Sequence, residues 1–494
     1  MSDEDEPTTY LGYKGYSIRK KYFSVEEQRL LRKELMVKPF VPKSSPIQPE
    51  PFPVYRESNK KIYVPRYYGN EMYGPPDAME INEGENININ FKGALRDKQK
   101  PVVKKYLKHV ENNGGGCLAL HTGFGKTCLA LYIIAALKKK TIIIVHKEFL
   151  MRQWIERIEQ FLPDAKVGKI QAKTIDVEDK DIVICMLQSL SMKEYNKEIF
   201  KGYGLTIVDE CHHISAEVFS RAFFKIVTKY TLGLSATIKR KDGLTKIIKW
   251  FLGDIVCKVE RKGEDKVLVK AITYKVNDED FNKIELNFRG QVNYTGMIKK
   301  ICEYNYRTEF ILKVIKDLLK KNKDQQIMVL GHQKKQLAYI YDAIKSRVIS
   351  TVGYYIGGMK EQDLKISEGK KIIVATYAMA EEGLDIKTLT TLVMATPKVD
   401  VTQSVGRILR QKHKEALVVD IVDTHALFQR HYAKRRTFYK KQKFKLIETD
   451  SYKYDNDLWD TIYDPETKIN KKTKINKKKE DVNMFQGVCL SKRK

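Results

Sequence analysis

The sequence predicts an α/β protein with two tandem domains, each a parallel sheet flanked by helices. From residue 91 onward, short continuous apolar runs alternate with amphipathic helices, and each run ends in a polar motif. Such runs are typical of parallel strands that are buried on both faces, with functional loops at their carboxyl ends. The predicted strands are Thr141–His146, Asp181–Met186, Leu205–Glu210 and Tyr230–Thr237 in the first domain, and Ile327–His332, Lys371–Thr376, Thr391–Thr396 and Ala416–Asp423 in the second.

The chain of 494 residues is too long for one ordinary domain, and its composition predicts four segments. A Tyr/Pro-rich accessory region covers 1–90, the two α/β domains cover 91–262 and 263–445, and a basic tail covers 446–494. A charged, glycine-containing join at Arg261–Lys266 separates the two α/β domains.

The first and last segments have few recognisable elements. In the accessory region one helix is predicted over Val25–Leu35, with Ser24 as its N-cap. Two interpretations of this region remain open: a small separate domain, or a wrap over the first α/β domain. The tail contains a Lys/Asn-rich stretch, Lys468–Lys479, which we expect to be partly disordered and to bind a phosphate backbone. A merely solubilising tail is the alternative.

The charge balance predicts a polyanionic partner. Lysine and arginine outnumber acidic residues 91 to 62, which gives a formal net charge of +29. Nucleic acid is the simplest such partner, although a general lysine-rich composition is the other explanation. The chain has no apolar run of about 18 residues, so no transmembrane helix is expected. The acidic start MSDEDEPTTY argues against a signal peptide, and the seven scattered cysteines argue against a zinc site. We expect a soluble intracellular monomer.

The segment HTGFGKT predicts a phosphate-binding loop between a strand and a helix over Cys128–Lys139. Its glycines let backbone N–H groups approach phosphates, its lysine reaches the β- and γ-phosphates, and its threonine supplies a hydroxyl to Mg²⁺. His121 stands where the general pattern has glycine. The predicted ATP-binding residues of this segment are His121, Thr122, Gly123, Phe124, Gly125, Lys126, Thr127 and Cys128.

The segment VDECHH follows an apolar run and supplies the predicted acid residues. Asp209 holds Mg²⁺ through water, together with Thr127, and Glu210 orients and deprotonates the attacking water. His212 lies near the γ-phosphate in this interpretation and relays its state to Ser235 and Thr237 in the segment GLSAT. For His213 we prefer an ordinary packing or surface role.

The segment QSVGRILR predicts arginine fingers from the second domain. Arg407 and Arg410 are three residues apart and share a helix face, so both can reach one phosphate cluster. Gln403 lies one helix turn before Arg407 and can contact the γ-phosphate or the water. A basic helix face without catalytic function is the alternative.

Other residues are candidates by position. Gln99 is predicted to bind the adenine edge with two hydrogen bonds, with Arg96 stacking or pairing nearby. Gly383 and Asp385 are predicted to form a turn that faces both nucleotide and nucleic acid. Each of these alone is compatible with ordinary capping or surface polarity. The predicted contacts to a nucleic-acid strand are Arg152, Gln153, Gln188, Ser189 and Thr376.

Together, these motifs resemble those of superfamily 2 helicases over roughly residues 90–445. The sequence DECH stands where that superfamily has DEAH or DExH, and QSVGRILR fits its arginine motif. The LRxxQ, TGFGKT and DECHHISAEVF segments are similar to the XPB-type branch, which also holds restriction-type helicase subunits and the transcript-release type helicases of poxviruses and other large DNA viruses. Two departures are Ile238, where many relatives have proline, and KRKDG at 239–243, where XPB proteins carry Arg-Glu-Asp.

The resemblance implies two RecA-like domains, ATP and Mg²⁺ as cofactors, and closure of a cleft that moves a nucleic-acid strand. It also implies DNA rather than RNA as substrate, 3′-to-5′ movement, transcription or repair as the role, and the transcription machinery as a partner. For a viral protein, the location is the host cytoplasm or the virion. The alternatives are an RNA helicase, a double-strand DNA translocase that does not unwind, and a non-motor binding factor. The intact Lys126, Asp209, Glu210, Arg407 and Arg410 argue against the last.

Overall fold

The chain divides into two compact units, Met1–Glu260 and Arg261–Lys494, so the division falls at the start of the predicted join. The structure is a computed structural model that describes residues 7–41, 48–213, 216–238, 240, 242–261, 266–382, 386, 388–409 and 416–467. The side chains of residues 213, 216, 381 and 382 are not described. The predicted tail stretch Lys468–Lys479 lies outside the described residues. Among the described residues, no helix is long and apolar enough to cross a membrane.

The N-terminal region is a small sheet with two helices. Its strand order is β5-β6-β2-β1-β7, and β3 and β4 form a separate pair. The predicted N-cap is confirmed: the Ser24 hydroxyl accepts from the Glu27 backbone N–H, and the Glu27 carboxylate accepts from Ser24 N–H at 2.8 Å. In chain order the elements are β1 (Thr9–Gly12), β2 (Gly15–Arg19), α1 (Val25–Glu34), β3 (Met36–Val37), β4 (Phe52–Pro53), β5 (Arg56–Glu57), β6 (Lys61–Val64), α2 (Arg66–Tyr73) and β7 (Ala78–Met79).

This region shares its core with the rest of the first unit. The Tyr68 ring packs edge-on against Trp250 with 5.1 Å between centroids. The Arg66 guanidinium donates to the carbonyl of Lys229 at 2.8 Å. The boundary predicted at residue 90 therefore does not separate two compact bodies, and the packing favours a wrap over a separate domain.

The first unit is built on an eight-stranded sheet in the order β11-β10-β12-β9-β13-β14-β8-β15, with only the β10–β11 pair antiparallel. All four strands predicted here are present. Because the strands are parallel, the motifs that follow β8, β9, β12, β13 and β14 meet at one edge of the sheet. The elements are α3 (Lys100–Asn113), β8 (Gly115–Leu120), α4 (Lys126–Leu137), β9 (Thr141–Val145), α5 (Glu148–Phe161), β10 (Val167–Gln171), β11 (Thr174–Asp176), β12 (Ile182–Met186), α6 (Leu187–Met192), α7 (Glu198–Lys201), β13 (Leu205–Val208), α8 (Ala216–Phe223), β14 (Tyr230–Ser235), α9 (Thr245–Leu252) and β15 (Ile255–Val259).

The second unit repeats this plan in the order β18-β19-β17-β20-β21-β16-β22-β23, with only the β22–β23 pair antiparallel. The four predicted strands are confirmed. The predicted boundary at residue 445 needs correction, because β22 begins there and extends the sheet. The elements are β16 (Val267–Tyr274), α10 (Glu279–Asn282), α11 (Tyr294–Glu303), α12 (Asn305–Lys321), β17 (Gln326–Gly331), α13 (Lys334–Ser346), β18 (Val352–Tyr355), α14 (Glu361–Glu368), β19 (Ile372–Thr376), α15 (Tyr377–Glu382), β20 (Leu389–Met394), α16 (Thr402–Ile408), β21 (Ala416–Asp423), α17 (Ala426–Lys441), β22 (Lys445–Asp450) and β23 (Asp460–Tyr463).

A fully buried ion pair fixes α12 to the carboxyl ends of two strands of the second sheet. The Arg307 guanidinium binds both carboxylate oxygens of Asp423, at 2.6 and 2.9 Å, and donates to the Ala395 carbonyl at 2.8 Å. Asp423 ends β21 and Ala395 follows β20, so the start of α12 is held at the edge where the strands end.

Replacing Arg307 by methionine is expected to lower the free energy of unfolding of the second unit by about 3–5 kcal/mol, because Asp423 is left buried without a cation. Chemical denaturation of the full chain measures this loss. The double variant Arg307→Met/Asp423→Leu is the control and should recover much of it, since an apolar pair leaves no buried charge. A single variant that loses less than about 1 kcal/mol, the range of exposed pairs, would contradict this assignment.

Candidate functional site

The phosphate loop joins β8 to α4 at the edge of the first sheet where the motifs meet. Gly123 and Gly125 have φ angles of +82° and +91°, a conformation that favours glycine. A side chain at Gly125 would also lie 2.4 Å from the Arg96 guanidinium. The helix begins at Lys126, two residues before the predicted start, so Lys126 and Thr127 belong to its first turn.

Arg96 and Gln99 brace this loop from the protein side. Gln99 is only 1% exposed. Its amide nitrogen donates to the carbonyls of Phe124 and Gly125 at 3.0 and 3.3 Å, and its amide oxygen accepts from Arg96 N–H at 2.9 Å. The Arg96 guanidinium also donates to the Phe124 carbonyl. The two residues predicted to bind adenine thus hold the loop, and the adenine contact stays a prediction.

The remaining predicted loop residues differ in exposure. The Phe124 ring is buried in the core of the first unit, so this residue offers only its backbone to a ligand. The His121 Nδ1 lies 2.8 Å from the Thr122 carbonyl, which orients the imidazole along the loop. Cys128 is half-buried in α4, and burial raises the pKa of its thiol.

The two acid residues lie directly after β13, facing the phosphate loop. The Lys126 ammonium is 2.6 Å from Glu210 Oε1. Asp209 is 6% exposed, and its two oxygens accept from Glu210 N–H and from the Trp154 indole N–H, both at 2.9 Å. Burial, and then the neighbouring Glu210 charge, raise the pKa of Asp209. Glu210 has a φ of +46°, a strained conformation that turns its side chain back toward the loop.

These residues fit a magnesium nucleotide. Two left-handed glycines followed by the start of a twelve-residue helix form a backbone cradle for phosphate. A hydroxyl at Thr127 and a carboxylate at Asp209 are the hard oxygen donors that Mg²⁺ prefers. Lys126 would bind phosphate oxygens there, and Thr127 and Asp209 would hold Mg²⁺ directly or through water.

The three predicted coupling residues are in direct contact. The His212 Nδ1 lies 2.7 Å from Ser235 Oγ and 3.4 Å from Glu210 Oε2. Ser235 Oγ donates to the Thr237 carbonyl at 2.6 Å and accepts from Thr237 N–H at 3.0 Å. Because the Ser235 proton is already used, His212 Nδ1 must be the donor in the histidine–serine contact. A contact path therefore runs from Lys126 through Glu210 and His212 to the end of β14.

Arg240 extends this path and was not predicted. Its guanidinium donates to the His212 carbonyl at 3.2 Å and pairs with Asp242. In the sequence, the segment around Arg240 stands out only as a departure from the XPB pattern. The spacing of Arg240 and Asp242 in the sequence could have predicted their ion pair. The bond from Arg240 to the His212 carbonyl depends on tertiary structure and could not be predicted.

In the second unit, Gln403 and Arg407 lie on α16, one turn apart as predicted. Arg407 is 6% exposed, and α16 ends at Ile408. Arg410, Gly383 and Asp385 lie outside the described residues, so their predicted roles stay predictions. Thr376 is the last residue of β19 and is half-buried at the edge where the strands end.

The predicted nucleic-acid contacts of the first unit differ in accessibility. Arg152 is exposed and pairs with Glu148 at 2.6 Å, and Gln153 next to it is half-buried. Gln188 is exposed and donates to the His146 carbonyl at 2.9 Å. Ser189 needs correction: it is buried, and its hydroxyl accepts from Ala172 N–H at 2.9 Å, which fixes a turn. This burial argues against the predicted contact between Ser189 and nucleic acid.

Trp154 is a functional candidate that the sequence interpretation missed. The ring is buried in the core, and its N–H bond to Asp209 Oδ2 orients the carboxylate predicted to hold Mg²⁺. A tryptophan on the apolar face of a helix predicts only packing, so the sequence carried no signal for this bond.

Trp154→Phe is expected to raise the Mg²⁺ concentration for half-maximal ATP hydrolysis by about 10-fold or more. Loss of a hydrogen bond that orients a metal ligand typically lowers metal affinity by about 10- to 100-fold. A Mg²⁺ titration of ATPase activity measures the effect. Trp250→Phe is the matched control, because Trp250 is also buried but its ring packs against Tyr68. An equal Mg²⁺ dependence in both variants would assign Trp154 to packing alone.

The chain is similar to several known proteins. The type III restriction enzyme res subunit family matches residues 92–240. A protein of Acanthamoeba polyphaga mimivirus, provisionally named an ATP-dependent RNA helicase, is 37% identical over 463 residues, which are 90% of this chain and 88% of the relative. The DNA 3'-5' translocase XPB2 of Sulfurisphaera tokodaii is 27% identical over 380 residues, 68% of this chain and 82% of the relative.

A solved structure supports the fold. Dbp5 of S. cerevisiae, bound to RNA and ADP BeF3, has a TM-score of 0.51 at 12% identity, with coverage of 72% of this chain and 90% of that chain. The similarity is to a protein with tandem RecA-like domains, which is the architecture that the two parallel sheets form here. With the phosphate loop, the paired acid residues and the mimivirus relative taken together, the chain belongs to the superfamily 2 helicases and is an ATP-dependent helicase related to those of large DNA viruses and to XPB.

Proposed function

We propose that this helicase moves along nucleic acid by coupling ATP hydrolysis at Lys126, Asp209 and Glu210 to the loop that follows β14. The observation that carries this proposal is the contact path from the Lys126–Glu210 pair through His212 to Ser235 and Thr237. A change in the partner of Lys126 alters the charge that His212 faces, and His212 is bonded to the end of β14. The state of the nucleotide can therefore affect the end of β14 through this path of ionic and hydrogen-bonded contacts.

The two ends of the Lys126–Glu210 pair have separate chemical tasks. When Lys126 binds phosphate oxygens, Glu210 loses part of that ionic contact and becomes a carboxylate that can accept a proton from water. Asp209 keeps its orientation because its two hydrogen bonds come from Trp154 and the backbone. Bound Mg²⁺ and ATP supply the phosphoryl group and neutralise its charge. We assign the arginine-finger function to Arg407, and to Arg410 from sequence alone.

We propose DNA as the substrate, 3′-to-5′ movement, and a role in transcription or repair. The net charge of +29 supports binding to a phosphate backbone, and the XPB2 relative is named as a DNA 3'-5' translocase. The second candidate is RNA, because the mimivirus relative and a relative from African swine fever virus, 27% identical over 377 residues, are both named as RNA helicases. A translocase that does not separate strands is a third candidate, because the relative XPB2 is named as a translocase.

Strand displacement with matched duplexes tests these candidates. The full chain is given DNA duplexes with a 3′ or a 5′ single-stranded tail, and RNA duplexes of the same sequence, with Lys126→Ala as the negative control. We expect ATP-dependent displacement of a strand mainly from the DNA duplex with the 3′ tail. Displacement mainly from RNA would replace DNA by RNA as the substrate. Removal of a bound protein block without displacement would assign the translocase function.

A further inference from the structure

A β-hairpin over residues 283–293 projects from the second unit between α10 and α11. Leu286 and Val292 pair antiparallel, and Asn287 N–H donates to the Gln291 carbonyl at 2.7 Å. The Asn287 side chain accepts from Arg289 N–H and Gln291 N–H at 2.9 and 3.0 Å, and Gly290 turns with a φ of +70°. The tip is therefore a preorganised turn and not an irregular loop.

The base of the hairpin is firmly attached. The Lys300 ammonium donates to the carbonyls of Asp280 and Lys283, both at 2.7 Å, and pairs with Glu285 at 3.2 Å. Asn293 N–H donates to the Glu285 carbonyl, and the Asn293 side chain caps α11 through Gly296 N–H at 3.0 Å. The orientation of the tip is thus fixed by the helix on which the hairpin stands.

The tip presents apolar side chains to solvent. Phe288 is 87% exposed, and the Arg289 guanidinium lies 5.1 Å from its ring centroid. Leu286 and Ile284, on the same arm, are also exposed. A rigid turn that holds an aromatic ring and a cation away from the core contributes little to stability, and such exposed apolar groups mark interaction sites.

The base of the hairpin lies near the carboxyl end of β21, because the Phe281 carbonyl two residues before it accepts from His425 Nε2 at 2.8 Å. Tyr294, the first residue after it, packs against His431 with 5.7 Å between ring centroids. Helix α12, which follows α11, carries Arg307, and Arg307 is bonded to the ends of β20 and β21. His332 and Thr396, which follow β17 and β20, are joined at that edge by a 2.7 Å hydrogen bond. Because the strands are parallel, the end of β19 at Thr376 lies along the same edge.

We propose that this hairpin is a nucleic-acid contact, in which a base stacks on Phe288 while Arg289 pairs with a neighbouring phosphate, and that it parts the two strands of a duplex. Only the second part of this proposal, the separation of the two strands, rests on the proposed function. An exposed aromatic face next to a cation suits a base and its phosphate, and the net charge of +29 favours a polyanionic partner. Stacking needs no particular sequence, since every base has a π face.

Binding to a fluorescent single-stranded oligonucleotide, measured by anisotropy without ATP, tests the contact. Phe288→Ala is expected to weaken binding about 5- to 150-fold, as for the loss of one stacked base. Phe288→Trp should bind like the parent, with its tryptophan emission quenched by the oligonucleotide, whereas Phe288→Leu should bind like the alanine variant. Val348→Ala is the matched control, because Val348 is equally exposed at 87% but precedes β18, at the opposite edge of the sheet.

Strand displacement then tests the second step. We expect Phe288→Ala to slow displacement of a tailed duplex at least in proportion to its loss of binding. Unchanged oligonucleotide binding in Phe288→Ala, or equal weakening in Val348→Ala, would overturn the contact, and would point to a protein partner for the hairpin if the parent still unwinds. Because the binding measurement uses no ATP, it tests the Phe288 contact even if the proposed helicase function is wrong.

Discussion

Glu210→Gln is expected to lower ATP hydrolysis by about 10²- to 10⁴-fold, the usual contribution of a positioned general base. Glutamine keeps the size and the hydrogen-bonding reach of the side chain but cannot accept the proton of the attacking water. Because Lys126, Thr127 and Asp209 are unchanged, nucleotide binding should persist. Single-turnover hydrolysis and nucleotide binding, measured on the same preparation, separate these two effects.

Glu217→Gln is the control for this variant. Glu217 is a partly exposed glutamate on α8 that pairs with Arg221. Glu217→Gln therefore removes the same charge as Glu210→Gln but leaves the nucleotide site unchanged. Substantial turnover in pure Glu210→Gln protein would move the water-activating function to another residue.

The second large effect is expected at Arg407. If this arginine stabilises the charge that develops on the phosphoryl group, Arg407→Ala should lower turnover by about 10³- to 10⁵-fold. Nucleotide affinity should change little, since the phosphate loop belongs to the first unit. Arg407→Lys should remain severely impaired, because lysine lacks the planar fork of the guanidinium. Steady-state ATPase assays with saturating nucleotide provide the measurement.

Because Arg407 is buried, its replacement can also disturb the second unit. Thermal unfolding of each variant therefore accompanies the kinetics, with Arg436→Ala, an arginine on the partly exposed face of α17, as the control. A variant that unfolds like the parent and hydrolyses ATP within about 10-fold of it would remove Arg407 from the phosphoryl-transfer step.

The sheets could be predicted because their central strands are continuous apolar runs. All eight predicted strands appear, several of them shifted by one or two residues. The strand before the phosphate loop was expected without bounds, and β8 there begins with two glycines. The missed β22, with the sequence KLIETD, is mostly polar. The missed β22 explains the error in the predicted boundary at 445.

The site could be predicted only where a residue type is diagnostic of chemistry. Lys126, Asp209 and Glu210 could be predicted because a glycine-bounded lysine and paired acids have few other uses, and the structure places Lys126 2.6 Å from Glu210. Trp154 and Gln99 show the limit. Their contacts depend on which atom of another element a buried N–H or amide faces, and sequence spacing does not encode that direction. Ser189 failed for the same reason, because its hydroxyl is used inside the fold.

The exposed hairpin shows a third case. Its apolar residues alternate with polar ones over a short stretch, which resembles an ordinary strand in the sequence. Only the structure shows that Phe288 faces solvent, and that Lys300 and Asn293 hold its base in place.

The most direct test of the central claim is the steady-state ATPase rate of the full chain with no nucleic acid, single-stranded DNA, duplex DNA or single-stranded RNA, each beside Lys126→Ala. We expect nucleic acid to raise the rate, DNA most strongly, and Lys126→Ala to abolish hydrolysis under every condition. An ATPase rate that is the same with and without every nucleic acid would contradict the coupling of the Lys126–Glu210 site to movement on a nucleic-acid strand.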